Sequence, residues 1–323
     1  MNDLLQALEG AATIAIGGHI RPDGDCVGSC MGLCNYIWDN YPDKKVTVYL
    51  GEYANVFSFI NGIERCVTCT TEEMRENACN EAGSYDLFVA LDSSNTERLE
   101  FHPIFEKAKQ TICVDHHVTN EGYAMKNLVF ESSSTAETIY DLLDAKCISL
   151  SCAEALYMGI VHDTGVFKHS CTTKHTMEVA GELIDLGVDT AKIIDDTFYR
   201  KTYVQNQLLG RALMESELLE NGRIIVSLIP EEYFTFYGAN KTDLEGIVDQ
   251  LRVTQGVEVA IFVYQSGSNS YKFSLRSNSS VDVSKIVVQF GGGGHVRAAG
   301  CTMTGDYPNS LEQIVEEIKK QLA

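Results

Sequence analysis

The sequence lacks any hydrophobic run that could cross a membrane, since no window approaches about 18 consecutive uncharged apolar residues. Its amino end carries Asp3 and Glu9, where a secretory signal would need a basic start and an apolar stretch. The dense, regular cysteine spacing of a disulfide scaffold is also missing, although the chain contains 11 cysteines. We therefore expect a soluble cytoplasmic protein that has reduced thiols and does not associate with membranes.

Positive charge is scarce as well. The chain has 25 lysines and arginines against 45 aspartates and glutamates, which gives a formal net charge of -20. Binding to long nucleic acid draws most of its affinity from neutralisation of phosphates by Lys and Arg. A long duplex is therefore excluded as a partner, whereas a short anionic substrate remains compatible if metal ions and a few local cations hold it.

The pattern of apolar and polar residues predicts two α/β domains without internal repeats. The first part alternates apolar runs with helical patterns, as a parallel sheet with crossover helices does. Few Gly or Pro residues interrupt 195–220, which favours a connecting helix. The predicted parts are an N-terminal domain at 1–190, a helical linker at 191–221 and a smaller α/β domain at 222–323. The predicted strands are 13–17, 45–50, 87–91 and 111–114, then 223–229, 257–264 and 271–275, and the principal predicted helices are 27–38, 136–143, 244–254, 283–290 and one from Ser310.

Acidic and imidazole side chains follow successive apolar segments of the first domain. Because ligands of a parallel sheet usually bind at the carboxyl ends of its strands, these side chains are expected at one edge. Any single Asp or His there is more simply a turn former or helix cap. Four such segments together predict one site, with the residues His19, Asp23, Asp25, Asp92, Asp115, His116, His117 and Asp163.

The residue types suit a divalent metal. Carboxylate oxygen combined with imidazole nitrogen fits manganese or a related ion better than a thiolate site would. Two such ions joined by a bridging carboxylate can activate water for in-line attack on phosphorus. Four Asp ligands roughly cancel the charge of two ions, so the substrate phosphate needs further cations. The local candidates are Arg21, Arg98, His117 and Lys168.

Cysteines near this site have a simpler interpretation. Cys26, Cys30 and Cys34 recur every four residues on a predicted helix, which is typical of core packing by small apolar side chains. Cys66 and Cys69 form a CxxC without a second pair at zinc spacing, so a zinc site is not expected there.

The segments HIRPDGDCVGS, LDSS, DHH and HDTG, in this order, resemble the motifs of the DHH phosphoesterase superfamily, and GGGGHVRAAG is similar to the DHHA1 domain that accompanies it. The resemblance implies that His19 and Asp23 hold one metal, that Asp25 and His116 hold the other, and that Asp92 bridges them. Asp163 would complete the set. His117 would contact phosphate or protonate the leaving oxygen, Asp115 would orient the histidine pair, and Arg98 is a further catalytic candidate.

The second domain is expected to recognise the substrate. Glycines 291–294 offer backbone amides that can approach an anion, and His295 and Arg297 add cationic groups. The resemblance to DHHA1 domains implies that these residues, together with Arg276 and Ser277, bind the terminal phosphate and base of a nucleotide. Engagement of both domains would limit cleavage to short substrates.

The resemblance finally implies an activity. Enzymes of this architecture degrade very short RNA from the 3' end and dephosphorylate 3'-phosphoadenosine 5'-phosphate (pAp), with two divalent ions such as manganese. Turnover of cyclic di-AMP or its linear product pApA is an alternative, as is a catalytically silent nucleotide- or RNA-binding module. A manganese pyrophosphatase or a single-strand DNA exonuclease fits the second domain and the length less well. The resemblance also suggests a homodimer.

Overall fold

The computed structural model describes residues 2–322. The chain divides into two compact units, the first ending at Arg200 and the second beginning at Lys201. Within the described residues, no helix combines the length and apolar character that a membrane crossing requires.

The first unit alternates strands with helices. Its elements in chain order are α1 (Asp3–Gly10), β1 (Thr13–Gly17), α2 (Gly24–Asn40), β2 (Lys45–Gly51), β3 (Val67–Cys69), α3 (Glu72–Glu81), β4 (Leu87–Leu91), α4 (His102–Lys107), β5 (Gln110–Asp115), β6 (Lys126–Val129), α5 (Thr135–Leu142), α6 (Leu150–Asp163), α7 (Lys174–Asp185) and α8 (Thr190–Ile194). Short 3₁₀ turns lie at Asn55–Phe57, Ile63–Arg65 and Ala145–Cys147, and a π-helical turn spans Asp195–Tyr199.

The six strands form one parallel sheet in the order β3-β2-β1-β4-β5-β6. Strand β1 lies between β2 and β4, with Ile14 paired to Val46 and to Leu87. All five residues of β4 are buried, as expected for a central strand covered on both faces. The strand order reverses at β1 and β4, so the crevice at their carboxyl ends is where such sheets bind ligands.

Glycines allow two helices of this unit to pack closely. A Cβ atom on Gly28 of α2 would lie 2.6 Å from the carbonyl oxygen of Ala155 and 2.8 Å from Gly159 Cα in α6. Real Cβ atoms do not approach this closely, so glycine is required at the crossing. In α6, a Cβ on Gly159 would lie 2.6 Å from Ala136 Cβ in α5 and 3.0 Å from Oδ1 of Asp25 in α2. Helices α2, α5 and α6 are thereby brought together at the end of α2 that follows β1.

The second unit contains a mixed six-stranded sheet in the order β11-β12-β10-β9-β8-β7. Strands β8 and β9 pair in parallel, and the remaining neighbours pair antiparallel. The elements are α9 (Tyr203–Met214), β7 (Glu217–Leu219), β8 (Ile224–Ile229), α10 (Glu231–Tyr237), α11 (Ile247–Arg252), β9 (Val259–Gly267), β10 (Ser270–Ser277), α12 (Val283–Val288), β11 (Gly293–His295), β12 (Ala298–Thr304) and α13 (Tyr307–Leu322), with 3₁₀ turns at Glu220–Gly222 and Lys241–Leu244.

The predicted α/β class with a parallel N-terminal sheet and a second α/β unit is confirmed. The predicted connecting helix over 195–220 corresponds to α9, which is shorter because the segment also contains the π-helical turn and strand β7. The fourth segment of the predicted site also differs from expectation. It is the helix α6, which ends at Asp163, so only three of the segments are strand ends.

Candidate metal centre

Three loops and one helix end bring the predicted residues to the carboxyl edge of the parallel sheet. His19 follows β1, Asp92 follows β4, His116 follows β5, and Asp163 is the last residue of α6. The Nε2 atom of His19 lies 3.4 Å from an oxygen of Asp92 and 3.7 Å from Asp23. The Nε2 atom of His116 lies 3.4 Å from Asp163, 3.7 Å from Asp92 and 3.9 Å from Asp25. Asp92 is therefore the carboxylate that both histidines share.

Asp25 is positioned by the first turn of helix α5. One carboxylate oxygen accepts the N–H of Thr135 at 2.7 Å, and the other accepts the N–H of Ala136 at 2.9 Å. Free N–H groups at a helix start and the helix dipole both favour a negative charge there. Burial and the nearby carboxylates of Asp92 and Asp163 nevertheless raise the pKa of Asp25 well above its ordinary value. A cation among these carboxylates would relieve that repulsion.

Asp92 has an unusual backbone. Its φ is 53°, in the left-handed region that few residues other than glycine adopt. Its side chain is buried and accepts a hydrogen bond at 3.1 Å from the hydroxyl of Thr135. Strained backbone of this kind persists where the surroundings fix it, often at functional sites.

The two histidines of the DHH segment have different closest partners, although a ring nitrogen of each lies within 3.7 Å of Asp92 Oδ1. His116 directs Nε2 toward the carboxylates, and its Nδ1 lies 3.4 Å from the carbonyl of Ser132. His117 places Nδ1 2.7 Å from Oδ1 of the buried Asp115, and this contact, against the effect of burial, raises the pKa of His117. Asp115 also accepts hydrogen bonds from the backbone of His116 and from Asn120. Asp115 thus contacts both histidines, through the ring of His117 and the backbone of His116.

Asp23 has a second task as the N-cap of helix α2. Its Oδ1 accepts the N–H groups of Asp25 and Cys26, each at 3.1 Å. Partial desolvation of the Asp23 carboxylate by the surrounding atoms opposes its ionisation, but the contact with His19 and the two amides lower the pKa of Asp23 to about 2. Burial alone would lower the pKa of His19, but Asp23 and Asp92 outweigh it and raise that pKa to about 12.

The donor set fits a divalent ion. The described residues contain three groups of possible metal donors, and the donor atoms of each group lie within 4.8 Å of one another. The groups are His19, Cys26 and Asp92; Asp92, His116 and His117; and Asp25, His116 and Asp163. Among residues 2–322, the carboxylates of this cluster form ion pairs with histidines and with no Lys or Arg. Oxygen and nitrogen donors around uncompensated carboxylates are what Mn²⁺, Mg²⁺ and Zn²⁺ sites require.

The predicted cations are less closely associated with the cluster. Arg98 is exposed, and its contact with this edge is through the backbone, where its carbonyl accepts the N–H of Ile20 at 2.7 Å. Arg21 and Lys168 are also exposed. The fourth candidate, His117, lies in a donor group with Asp92 and His116.

Several residues near the site were not predicted. The backbone amides of Thr135 and Ala136, at the start of α5, hold Asp25. The sequence does contain a signal for this helix start, since Ser134 and Glu137 have the spacing of a helix capping box. The His162 ring packs on Gly24, where a Cβ would lie 2.1 Å from the ring, and between Phe57 and Phe198. Burial lowers the pKa of His162 to about 4, and its Nε2 has no hydrogen-bond partner among the described residues.

The predicted substrate-binding residues of the second unit have partners of their own. The Arg276 Nε lies 3.2 Å from Asp249, and the buried Ser277 hydroxyl donates to the Val281 carbonyl at 2.6 Å. Arg297 donates to the same carbonyl at 3.0 Å. Both Arg297 and His295 are exposed.

The glycine run is only partly a loop. Gly293 and Gly294 begin β11, and the amides of Gly291 and Gly292 donate to the carbonyls of Val288 and Val287. A Cβ on Gly292 would lie 2.4 Å from the carbonyl oxygen of Gly300. Glycine is therefore required there by the approach of β12.

Comparisons with known proteins cover the whole chain. Residues 13–160 match the DHH family, N-terminal domain, and residues 221–323 match the DHHA1 domain. The bifunctional oligoribonuclease and PAP phosphatase NrnA of Thermus thermophilus is 29% identical over 99% of this chain and 93% of its own length. The protein of the same name from Bacillus subtilis is 27% identical over 93% of this chain and 92% of its own.

A solved structure shares the fold. The crystal structure of an exopolyphosphatase-related protein from Bacteroides fragilis superposes with a TM-score of 0.86 at 23% identity, over 98% of this chain and 94% of that one. The two family matches and the similarity to the oligoribonucleases lead to one assignment: the chain belongs to the DHH family, with a DHHA1 domain at its carboxyl end, and is a phosphoesterase hydrolase.

Proposed function

We propose that this protein degrades very short RNA oligonucleotides from the 3' end to mononucleotides and dephosphorylates pAp, with two manganese ions as cofactors. The observation that carries the proposal is the cluster at the carboxyl edge of the parallel sheet, where His19 and His116 both face Asp92 and also face three further carboxylates, those of Asp23, Asp25 and Asp163. The names of the relatives, which are similar over nearly the whole chain, support the substrate class.

The residues would divide as follows. His19 and Asp23 would hold one ion, Asp25, His116 and Asp163 would hold the other, and Asp92 would bridge. Divalent ions in such a site stabilise charge on phosphoryl oxygens and lower the pKa of water. The protein's own part is to fix the ligands: the first turn of α5 orients Asp25, and the Ser132 carbonyl orients His116.

His117 would serve the leaving group. Its Nδ1 faces the Asp115 carboxylate at 2.7 Å, so the proton that it can exchange with substrate is the one on Nε2. The His117 side chain is 41% exposed, whereas Asp115 is fully buried. We therefore propose that Nε2 of His117 donates a proton to the leaving oxygen or binds a phosphoryl oxygen, and that Asp115 keeps the ring in the required tautomer.

The second unit would recognise the nucleotide through exposed groups. His295 and Arg297 are the exposed cationic candidates, and Arg276 could contact substrate by exchanging its partner Asp249. The amides of Gly291 and Gly292 are already engaged, and Gly293 and Gly294 pair with β12, so a contribution from the glycine run would come from backbone groups of β11 that do not face β12. We also propose a cytoplasmic location, since all 11 cysteines are free, and a homodimer, which light scattering would test.

A substrate panel tests the proposal. The protein is incubated with Mn²⁺ and 5'-labelled RNA from a dinucleotide to a 24-mer, pAp, pApA and cyclic di-AMP, and the products are identified. We expect mononucleotide release to be fastest from the shortest RNA, together with adenosine monophosphate from pAp. Preferential turnover of cyclic di-AMP or pApA would favour the cyclic dinucleotide alternative, and binding without turnover would favour the non-enzymatic one.

A further inference from the structure

A sulfur atom lies among the donors of the first metal position. The Sγ atom of Cys26, a ring nitrogen of His19 and a carboxylate oxygen of Asp92 are mutually within 4.8 Å, and all three residues are buried. Cys26 is the third residue of helix α2, directly after the loop that carries His19 and Asp23. Core packing accounts for the burial of the Cys26 thiol. It does not account for the closeness of the Cys26 Sγ to metal-binding atoms of His19 and Asp92.

Glycine at position 18 makes room for the thiol. A Cβ atom on Gly18, which directly precedes His19, would lie 2.1 Å from the Cys26 Sγ. Cys30, one helical turn further along α2, is 3.4 Å from the same point. Of these two cysteines, Cys26 is the one whose thiol points at the loop between β1 and the metal ligands. Cys30 is equally buried but its thiol lies further from that loop.

Asp23 also faces this position, with a carboxylate oxygen 3.7 Å from Nε2 of His19. Its Oδ1 already accepts two amide N–H groups, so Oδ2 is the freer oxygen for a metal. Cys26 belongs to a donor group with His19 and Asp92. The donors around this position are therefore one imidazole nitrogen, two carboxylates and one sulfur.

We propose that Cys26 is a sulfur ligand of the first metal position, beside His19, Asp23 and Asp92, and that its thiolate raises the affinity of this position for thiophilic divalent ions such as Co²⁺, Zn²⁺ and Cd²⁺ relative to Mn²⁺. The inference rests on the proposed function only in taking this cluster as a metal site. Soft thiolate donors select such ions over Mn²⁺ and Mg²⁺, which prefer oxygen. Ligation replaces the S–H bond by an S–metal bond and releases the proton to solvent, without any redox change.

Cobalt provides a direct readout without substrate. The full-length protein is freed of metal with a chelator and titrated with Co²⁺, and the thiolate-to-cobalt charge-transfer band in the near ultraviolet is recorded. We expect the band in the wild type, its loss in Cys26→Ala and its retention in Cys30→Ala, which removes an equally buried thiol from the same helix. Circular dichroism checks that both variants fold, and Cys26→Ser replaces Cys26→Ala if the latter does not.

Competition measures the selectivity. The affinity for Co²⁺ relative to Mn²⁺ should fall at least about tenfold in Cys26→Ser, since even loss of a supporting residue costs about 10- to 100-fold in metal affinity. A wild type that binds Co²⁺ without the band, or a band that persists in the Cys26 variants, would overturn the proposal. Failure of the RNA and pAp assays with both Mn²⁺ and Co²⁺ would instead refute the proposed function, because the cobalt titration uses no substrate.

Discussion

The Nδ1 atom of His117 lies 2.7 Å from Oδ1 of the fully buried Asp115. Asp115→Asn would keep the volume but remove the negative charge that faces the ring. Loss of such a supporting carboxylate typically costs about 10- to 100-fold, so we expect kcat on short RNA to fall by that factor with a smaller change in KM.

The same unit offers a matched control for this change. His175 and Asp141 form an exposed pair with Nε2 2.9 Å from both carboxylate oxygens. Asp141→Asn should leave kcat unchanged. Equal kcat values for Asp115→Asn and the wild type would contradict a role of Asp115 in orienting His117.

Asp92→Ala should abolish turnover because this carboxylate faces both His19 and His116. We expect kcat to fall by at least about 100-fold, beyond the usual loss for a supporting residue, and the bound Mn²⁺ measured by elemental analysis to decrease. Asp86, just before the amino end of the same strand, accepts the N–H of Thr13 at 3.0 Å and serves as control. Asp86→Asn should affect stability and leave metal content intact; retained turnover in Asp92→Ala would refute the two-metal assignment.

Gly28→Ala should destabilise the first unit, since its Cβ would lie 2.6 Å from the Ala155 carbonyl oxygen. Overpacking of this kind costs about 1–3 kcal/mol. Gly181 lies within α7 with nothing within 4 Å of its Cβ position, so Gly181→Ala should stabilise by about 0.4–1 kcal/mol. Urea unfolding of both variants measures the difference, and a neutral Gly28→Ala would show that α2 and α6 can move apart.

Glu258 should make the stability of the second unit depend on pH. One oxygen accepts the N–H groups of Ser279, Ser280 and Val281, and although burial acts in the opposite direction, these bonds lower the pKa of Glu258 to about 2. A lowered carboxylate pKa stabilises the fold above the unfolded value of about 4.3, and that stability is lost as pH falls toward 2.

Thermal melts between pH 7 and pH 2 of the wild type and Glu258→Gln test this dependence. The two melting temperatures should converge at the acid end, with the wild type more stable at pH 7. Glu312→Gln, at an exposed position of α13, should follow the wild type throughout. A constant difference between wild type and Glu258→Gln at every pH would argue against the linkage.

His295→Ala should mainly weaken substrate binding. A hydrogen bond to a charged group contributes about 1.5–3 kcal/mol, so KM for short RNA and pAp should rise roughly tenfold or more with little change in kcat. Lys285→Ala, which removes an exposed cation that is 3.3 Å from Asp282, is the control and should leave KM unchanged. A fall in kcat without a change in KM would place His295 outside substrate recognition.

The sequence predicts most of the fold because its central strands are uninterrupted apolar runs. The bounds of β1 and β4 agree with the predicted ones, since both strands are almost wholly buried. The short edge strands β3 and β6 were missed because three- and four-residue segments with polar, exposed positions carry little periodic signal. The apolar segment before Asp163 shows the opposite difficulty, since a buried helix and a buried strand can have the same composition.

The site was predictable to a similar extent. The chain order of the acidic and histidine segments indicates which residues converge, and the structure places Asp25, Asp92 and His116 close together. The two amides that hold Asp25 lie 110 and 111 residues away in the chain, so no local pattern identifies them. The direction of the Cys26 thiol likewise depends on Gly18, a neighbour that only the folded chain provides.

At Asp92, the side chain that catalysis needs requires a left-handed backbone that lowers the stability of the fold. Such a conformation costs of order 1–3 kcal/mol for a residue with a side chain, and glycine would adopt it without that cost. Glycine, however, has no carboxylate to place between His19 and His116. Natural selection for hydrolysis would thus retain an aspartate that selection for stability alone would replace, and the rest of the unit must supply the free energy that keeps it there.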